Sequence, residues 1–130
     1  MLVVDDHADS RELIAAVLGG ANIGTAEASS GAAALQRILE KPRPGIVIID
    51  LGLPDCHGTE CIRILRQTPE TAHLPILVLS ASVTDADRRG AAEAGATAFL
   101  RKPILPDDLL TALREALAGR GVDNARRGQA

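Results

Sequence analysis

The 130-residue chain is long enough to bury one hydrophobic core, so we expect a single domain. Hydrophobic residues make up 46% and charged residues 24%, which is ordinary for a soluble globular protein, and no apolar run approaches the roughly 18 residues of a membrane-spanning helix. The net charge of −3 gives no general attraction to nucleic acid or to anionic membranes, and we expect this chain to bind neither directly.

The start of the chain and its cysteines indicate the compartment. No signal-peptide pattern precedes Leu2, where the first strand pattern begins. Cys56 and Cys61 form neither a metal motif nor a redox motif, so we interpret them as reduced thiols. We therefore expect a cytoplasmic protein.

The first elements are a strand, a helix and a weaker strand. The apolar run Leu2–Val4 predicts a buried strand that ends in two acids, and a helix follows from Ala8 until Gly19–Gly20 ends it. The predicted inward face of this helix is Leu13, Ile14, Val17 and Leu18. A second strand over Ile23–Glu27 is expected at an edge of the sheet.

A second helix and a third strand follow. Ser30 suits the N-cap of the helix, and Pro42 and Pro44 mark its end. The predicted apolar face is Ala34, Leu35, Ile38 and Leu39. The run 45–50 then leads through β-branched residues to Asp50, which is typical of a strand buried on both faces. Ligands bind at the carboxyl ends of such strands, so Asp50 is a candidate site residue.

The second half of the chain continues the alternation. We predict a third helix over Gly58–Gln67 with Ile62 and Leu65 inward, and a fourth strand, Ile76–Leu79, that ends at Ser80. Thr84 or Asp85 should cap a fourth helix, which Gly95 ends. Its apolar face is thin, consisting of Ala86, Ala91, Ala92 and Ala94.

The fifth strand, Ala98–Leu100, runs into Arg101-Lys102-Pro103, and Pro106 begins the last helix. The predicted inward face of that helix is Leu109, Leu110, Leu113 and Leu117. Residues 119–130 are small, polar and rich in arginine, and we expect a disordered tail or a truncated linker.

Five alternations of strand and helix predict an α/β fold: a doubly wound, five-stranded parallel sheet with helices on both faces. In a parallel sheet all carboxyl ends share one edge, so the polar strand ends should converge there. These strand ends are Asp5-Asp6, Asp50, Ser80 and Lys102.

The chemistry of this edge requires positive charge. Two carboxylates 4 Å apart repel by roughly 4 kcal/mol at an effective dielectric near 20. Lys102 supplies one positive charge, and hard carboxylate oxygens suit Mg²⁺ as a second source. With the Ser80 hydroxyl added, the site suits phosphoryl oxygens carried on a carboxylate, because carboxylate nucleophiles form acyl phosphates in covalent catalysis.

These strand ends resemble the motifs of receiver domains in two-component response regulators, including the chemotaxis regulators. The resemblance spans about Leu2 to Leu117, and we expect a receiver domain over residues 1–118. The matching segments are Val3-Val4-Asp5-Asp6, Asp50-Leu51-Gly52-Leu53-Pro54 with Gly58, Leu79-Ser80-Ala81, Ala94-Gly95-Ala96 and Lys102-Pro103. The resemblance implies a flavodoxin-like fold with strand order 2-1-3-4-5.

The resemblance also implies roles for the acids. Asp50 would accept a phosphoryl group from a phosphohistidine on a sensor histidine kinase or a phosphotransfer protein. Mg²⁺ (or Mn²⁺) would be bound by Asp6, Asp50 and the backbone carbonyl of Gly52, while Asp5 would act through a bound water.

The remaining implied roles concern the phosphoryl group and the switch. Lys102 would contact one phosphoryl oxygen and Ser80 another. Ser80 and Phe99 would form the conformational switch, and Phe99 as a simple core residue remains the alternative. Pro103 would form a cis peptide bond with Lys102, which aims the lysine back over the site. His7, His57 and His73 match no family role, although His7 or His57 could tune the pocket.

The implied function is that of a signalling domain rather than an enzyme, since it would catalyse only its own phosphorylation and dephosphorylation. Phosphorylation would shift the face formed by helix 4, strand 5 and helix 5, and a homodimer through that face is a further expectation. A phosphatase of the haloacid-dehalogenase type is disfavoured, because it needs a second acid where Gly52 stands. A flavin carrier is also disfavoured, because it needs a phosphate-binding loop after the first strand, where this chain has Asp5-Asp6-His7. The alternative left open is an unphosphorylated, receiver-like interaction scaffold.

Gly52 is a departure from the family pattern, because it provides no side chain beside the expected nucleophile, Asp50. Water would reach a phosphoryl group on Asp50 easily, so our hypothesis is a short-lived phosphoaspartate.

Overall fold

The computed structural model describes residues 1–40, 44–81, 84–103 and 105–118. The strands are β1 (Leu2–Val4), β2 (Ala26–Ala28), β3 (Val47–Ile49), β4 (Ile76–Ser80) and β5 (Ala98–Arg101). The helices are α1 (Ala8–Gly20), α2 (Gly31–Ile38), α3 (Gly58–Gln67), α4 (Asp85–Ala94) and α5 (Pro106–Leu117). All strand pairs are parallel, in the order β2-β1-β3-β4-β5, which confirms the predicted doubly wound sheet.

The sheet separates two apolar clusters, because successive strand residues point to opposite faces. Val4, Ile49 and Val78 pack on one face with α2, α3 and α4. Val3, Ile48 and Leu77 pack on the other face with α1 and α5. Each buried aliphatic side chain contributes about 1.5–3 kcal/mol, so the continuous apolar strands stabilise both layers.

The register brings two of the strand ends side by side. Val4 pairs with Ile49, which pairs with Val78. The next residues, Asp5 and Asp50, therefore leave adjacent strands at the same level. The sheet thus delivers the candidate acids to one edge.

Several helix ends agree with their sequence signals. The Ser30 Oγ accepts the Ala33 N–H at 3.1 Å and caps α2. Thr84, rather than Asp85, caps α4, since its Oγ1 accepts the Asp87 N–H at 3.1 Å. Gly95 ends α4 in the left-handed conformation, with φ 114°.

Two predicted boundaries are wrong. The second strand begins at Ala26 instead of Ile23, because only Ala26–Ala28 find partners on the three-residue β1. The Ile23 N–H instead donates to Leu18 O at 2.8 Å and completes the end of α1. Gly19–Gly20 remain helical, and the left-handed residue that follows the helix is Asn22, with φ 61°.

Some predicted inward positions are also wrong. Leu13, Leu39 and Leu117 are each more than half exposed, and Ala86 and Ala92 lie on the exposed side of α4. The neighbouring elements cover only part of each predicted apolar face, so these positions stay exposed. The helix α2 ends at Ile38, before Pro44, while Pro42 lies outside the described residues, as does the predicted tail, 119–130.

None of the helices within the four described ranges is both long enough and apolar enough to cross a membrane.

Candidate functional site

Two buried carboxylates form the centre of the site. Asp5 directly follows β1 and Asp50 directly follows β3; their side chains are only 2% and 10% exposed. The Asp50 N–H donates to Val4 O at 2.9 Å, which fixes the two strand ends relative to each other. Such acids are costly to bury unless a cation compensates them.

Lys102 is that cation. It directly follows β5, and its Nζ lies 2.6 Å from Asp5 Oδ2 and 3.0 Å from Asp50 Oδ2. The Nζ also lies 3.5 Å from Ser10 Oγ. The backbone N–H of Lys102 donates to Ser80 O at 2.9 Å, and the Lys102–Pro103 peptide bond is cis. The side chain therefore reaches across the end of β4 to bridge both acids.

The electrostatics of this pair favour the charged forms. Burial alone raises the pKa of Asp5, but hydrogen bonds from Lys102 and from the His7 backbone outweigh it, so the pKa lies below its ordinary value. Burial lowers the pKa of Lys102, but hydrogen bonds to Asp5 and Asp50 outweigh it, so the pKa lies above its ordinary value. The ion pair thus persists across the neutral range.

Asp6 and His7 form the outer rim of the same site. The His7 N–H donates to Asp5 Oδ1 at 2.9 Å. The His7 Nδ1 lies 3.0 Å from Asp6 Oδ1 and 3.2 Å from Asp5 Oδ1. The sequence analysis gave His7 no family role, although its position directly after Asp5 and Asp6 could have indicated that it lies at the site.

The donor set fits a divalent cation. Asp5, Asp6, His7 and Asp50 each present one ligand atom, and these atoms all lie within 4.8 Å of one another. Opposite ligands of an octahedral Mg²⁺ or similar ion stand about 4.2 Å apart, twice a bond of about 2.1 Å. The cluster therefore needs only small adjustments to hold such an ion.

Arg11 supports the turn that carries these acids, and sequence reasoning missed it. Its Nη1 donates to the backbone carbonyl of Asp5 at 2.7 Å, and its Nε lies 3.2 Å from Glu27 Oε1. A bond from a partly buried helix position to a backbone carbonyl leaves no sequence signal.

The loop after β3 is fixed by close backbone contacts. The Gly52 N–H donates to Asp50 Oδ1 at 3.1 Å, and the Gly58 N–H donates to Leu51 O at 2.7 Å. A Cβ on Gly58 would lie 2.6 Å from Asp50 O, so this position requires glycine. A Cβ on Gly52 would meet no described atom within 4 Å, so there is open space at this position, two residues after Asp50.

Two further contacts of this loop were also missed. Asp55 accepts the N–H groups of Gly31 and Ala32, both at 2.9 Å, at the start of α2. His57 precedes α3, and its Nδ1 accepts the Thr59 N–H at 3.3 Å. The loop is thereby tied to two helices as well as to the sheet.

The two predicted switch residues lie in the sheet beside this site. Ser80 ends β4 and is 4% exposed, and Phe99 in β5 is 5% exposed. Phe99 pairs with Val78 and packs in the cluster that faces α4. By the alternation of β4, Ser80 points to the same face as Val78. The structure therefore brings the acids, Lys102 and the backbone of Ser80 together. Phe99 is buried within the sheet, beside Val78.

Comparison with known proteins connects this site to a family. A family model described as the response regulator receiver domain matches residues 1–114. The chain is 38% identical over 120 residues to the KDP operon transcriptional regulatory protein KdpE of Escherichia coli, and 35% identical over 117 residues to the DNA-binding response regulator MtrA of Mycobacterium tuberculosis. Each match covers 90% of this chain and 50% of the relative, so the chain spans about half the length of these curated relatives.

Solved structures of similar proteins agree with the fold. A putative response regulator from Chloroflexus aurantiacus matches with a TM-score of 0.85 and 37% identity, covering 90% of this chain and 95% of that one. The chemotaxis protein CheY4 of Vibrio cholerae matches with a TM-score of 0.83 and 27% identity, covering 88% of this chain and 95% of that one.

Proposed function

The chain belongs to the response regulator receiver family of two-component systems, and on that premise we propose that Asp50 accepts a phosphoryl group from a phosphohistidine on a sensor histidine kinase or phosphotransfer protein. The observation that carries this proposal is the position of Lys102, whose Nζ lies 3.0 Å from Asp50 Oδ2 and 2.6 Å from Asp5 Oδ2. We assign the receiver to residues 1–118 and a tail or linker to residues 119–130.

The transfer is a substitution at phosphorus. An Asp50 oxygen forms the new bond as the phosphorus–nitrogen bond of the donor breaks, and the electron pair stays on the donor's imidazole. Lys102 holds one Asp50 oxygen and the Gly52 N–H holds the other. Because Lys102 also holds Asp5, it can turn toward an arriving phosphoryl oxygen without losing its second partner.

Asp6, Asp50 and the Gly52 carbonyl would hold Mg²⁺ (or Mn²⁺), with Asp5 acting through a bound water. The ion, when bound, offsets the negative charge that accumulates as the phosphoryl group approaches the acids. The support is the donor set itself, since the Asp5, Asp6 and Asp50 oxygens lie within 4.8 Å of one another.

The switch would begin at Ser80. Its hydroxyl would bind a phosphoryl oxygen, and the space it leaves on the α4 face of the sheet would let Phe99 rearrange. Phe99 packs in the same cluster as Ala91 and Ala94 of α4, so a change at β5 would reach that helix directly. The α4-β5-α5 face is then the proposed output and homodimer surface.

This role is that of a signalling domain whose only catalysis acts on its own Asp50, in both phosphorylation and hydrolysis. The cytoplasm remains the proposed location, because Cys56 and Cys61 are free thiols, the state that a reducing compartment maintains.

The test uses a small phosphodonor, acetyl phosphate, with Mg²⁺. We expect intact-mass spectrometry to show one added phosphoryl group in the wild type, and none in Asp50→Asn. Asp107→Asn, on the exposed start of α5, is the matched control and should label like the wild type. A wild type that stays unlabelled with Mg²⁺ would instead support the unphosphorylated scaffold.

A further inference from the structure

His7 lies at the rim of the acid cluster, where its imidazole faces the carboxylates. We propose that His7 Nδ1 is a direct ligand of the ion held by Asp6 and Asp50, so that this site favours divalent ions that accept nitrogen. This inference rests on the proposed function, because it concerns the same metal site. It adds a residue, and an ion preference, that the all-oxygen site of the proposal lacks.

The geometry places the imidazole nitrogen in the ligand sphere. Nδ1 lies 3.0 Å from Asp6 Oδ1 and 3.2 Å from Asp5 Oδ1. Neighbouring ligands of a six-coordinate ion with bonds of about 2.1 Å stand about 3.0 Å apart, and the distance from Nδ1 to Asp6 Oδ1 matches that spacing. A ring nitrogen of His7 and an oxygen of Asp50 also lie within the 4.8 Å that spans the cluster.

The local backbone holds the ring in this position. His7 is the N-cap residue of α1 with extended φ and ψ, and its side chain makes no capping hydrogen bond. Its N–H is instead bound to Asp5 Oδ1 at 2.9 Å, and Arg11 holds the carbonyl of Asp5 at 2.7 Å. The imidazole is therefore directed at the acids by the turn and is not needed for the helix.

The ligand chemistry predicts the ion preference. Mg²⁺ prefers hard oxygen ligands and gains little from imidazole. Imidazole suits late first-row ions, whose affinity for such sites rises from Mn²⁺ through Co²⁺ to Ni²⁺. A site that combines carboxylates with one imidazole should therefore bind Ni²⁺ and Co²⁺ much more tightly than Mg²⁺, and His7 should account for much of that difference.

A counter-charge role for His7 makes the opposite prediction. The side chain is 69% exposed and lies beside two acids, so a protonated ring would offset their charge and compete with every cation. Removing His7 would then tighten the binding of both Mg²⁺ and Ni²⁺. Removing a ligand would weaken Ni²⁺ binding and leave Mg²⁺ binding nearly unchanged.

The experiment measures Mg²⁺ and Ni²⁺ affinities by isothermal titration calorimetry in the full chain. In His7→Asn we expect the Ni²⁺ affinity to fall at least about tenfold and the Mg²⁺ affinity to change less than about threefold. The exposed His73→Asn is the control for incidental histidine binding and should match the wild type. A Ni²⁺ affinity that is unchanged or tighter in His7→Asn would overturn the proposal.

A second measurement detects the nitrogen directly. In pulsed electron paramagnetic resonance of the Mn²⁺-loaded wild type, we expect ¹⁴N modulation from a bound imidazole, and we expect His7→Asn to lack it. Wild-type spectra without that modulation would refute the ligand role. If the ¹⁴N modulation is absent but acetyl phosphate still labels Asp50, only the ligand role of His7 is refuted. If the ¹⁴N modulation is present but the wild type stays unlabelled, only the phosphoacceptor function is refuted.

Discussion

Two half-buried cations lie at opposite edges of the sheet, and they are held in different ways. At the carboxyl edge, Lys102 Nζ binds the carboxylates of Asp5 and Asp50. At the amino edge, Arg66 of α3 donates to the backbone carbonyls of Gly95 at 2.9 Å and Leu74 at 2.6 Å. It also donates to Ala72 O and Thr97 Oγ1, at 3.1 and 3.4 Å.

The pKa shifts of the two cations have opposite signs. Burial lowers the pKa of Arg66, and carbonyl partners do not reverse that shift. The carboxylates around Lys102 do reverse the effect of burial and raise its pKa. Lys102 therefore neutralises the carboxylates of Asp5 and Asp50, and a phosphoryl group could take their place as its partner. Arg66 instead holds backbone segments together. We infer that the carboxyl edge serves chemistry and the amino edge serves stability.

Lys102→Met tests the first half of this comparison and has the largest expected effect. Without the ammonium, the described part of the chain leaves no side-chain cation between the acids to offset the phosphoryl charge, so we expect labelling by acetyl phosphate to slow at least about 100-fold. The rate is measured by intact mass over time with saturating Mg²⁺. A near-normal rate would mean that Lys102 balances charge in the resting protein only.

Arg66→Met tests the second half. Four acceptors lose their donor, so we expect the free energy of unfolding in urea to fall by about 2–4 kcal/mol. Labelling of the folded fraction should stay normal. Arg63→Met, an exposed position on the same helix, is the matched control and should change stability by less than about 0.5 kcal/mol.

Gly95→Ala probes the turn that Arg66 binds. The φ of 114° is unfavourable for alanine, and the new Cβ would lie 2.7 Å from Arg66 Cγ, so we expect a loss of about 1–2 kcal/mol in urea unfolding. Gly90→Ala is the opposite control. It is helical, its nearest atom is Thr59 Cγ2 at 3.9 Å, and it should gain up to about 1 kcal/mol. Equal effects of both changes would contradict the role of this turn.

Much of the carboxyl edge could be predicted from the sequence, because parallel strands share that edge and Asp5, Asp50 and Lys102 each directly follow a strand. The amino-edge contacts could not. Arg66 binds backbone carbonyls, which every residue carries, so no residue pattern marks its partners. Likewise, Asp55 binds the start of α2 from 24 positions along the chain, a contact that only the packed fold creates.

Periodicity also has a limit that the exposed leucines illustrate. It correctly places Ile14 and Leu18 in the core but gives the same weight to Leu13, which is exposed. The helical pattern fixes the direction of the apolar arc, while the neighbouring elements decide how much of that arc is covered.

The pH dependence of stability offers a smaller test of the carboxyl edge. The lowered pKa of Asp5 contributes stability that is present above its unfolded value of about 3.9 and is lost as the pH falls through the folded pKa. The raised pKa of Lys102 contributes stability below about 10.4 that is lost as the pH rises through the folded pKa. In Lys102→Met, burial of Asp5 is less compensated, so urea unfolding should show the acid-side loss moving to higher pH. An acid limb that stays in place would show that Lys102 does not set the Asp5 pKa.

Gly52→Asn tests whether a side chain can be added at the carboxyl edge without disturbing the packing, and its expected effect on stability is the smallest. A Cβ at this position meets no described atom within 4 Å, so stability should change by less than about 0.5 kcal/mol. Our hypothesis of a short-lived phosphoaspartate predicts that the added side chain hinders water and slows dephosphorylation several-fold. Loss of the label is followed by mass after the phosphodonor is removed, with Gly24→Asn, another position with open space, as the control. An unchanged dephosphorylation rate in Gly52→Asn would refute the hypothesis. Slower hydrolysis at unchanged stability would show that the lifetime of the phosphoaspartate can be changed at this edge without altering the packing.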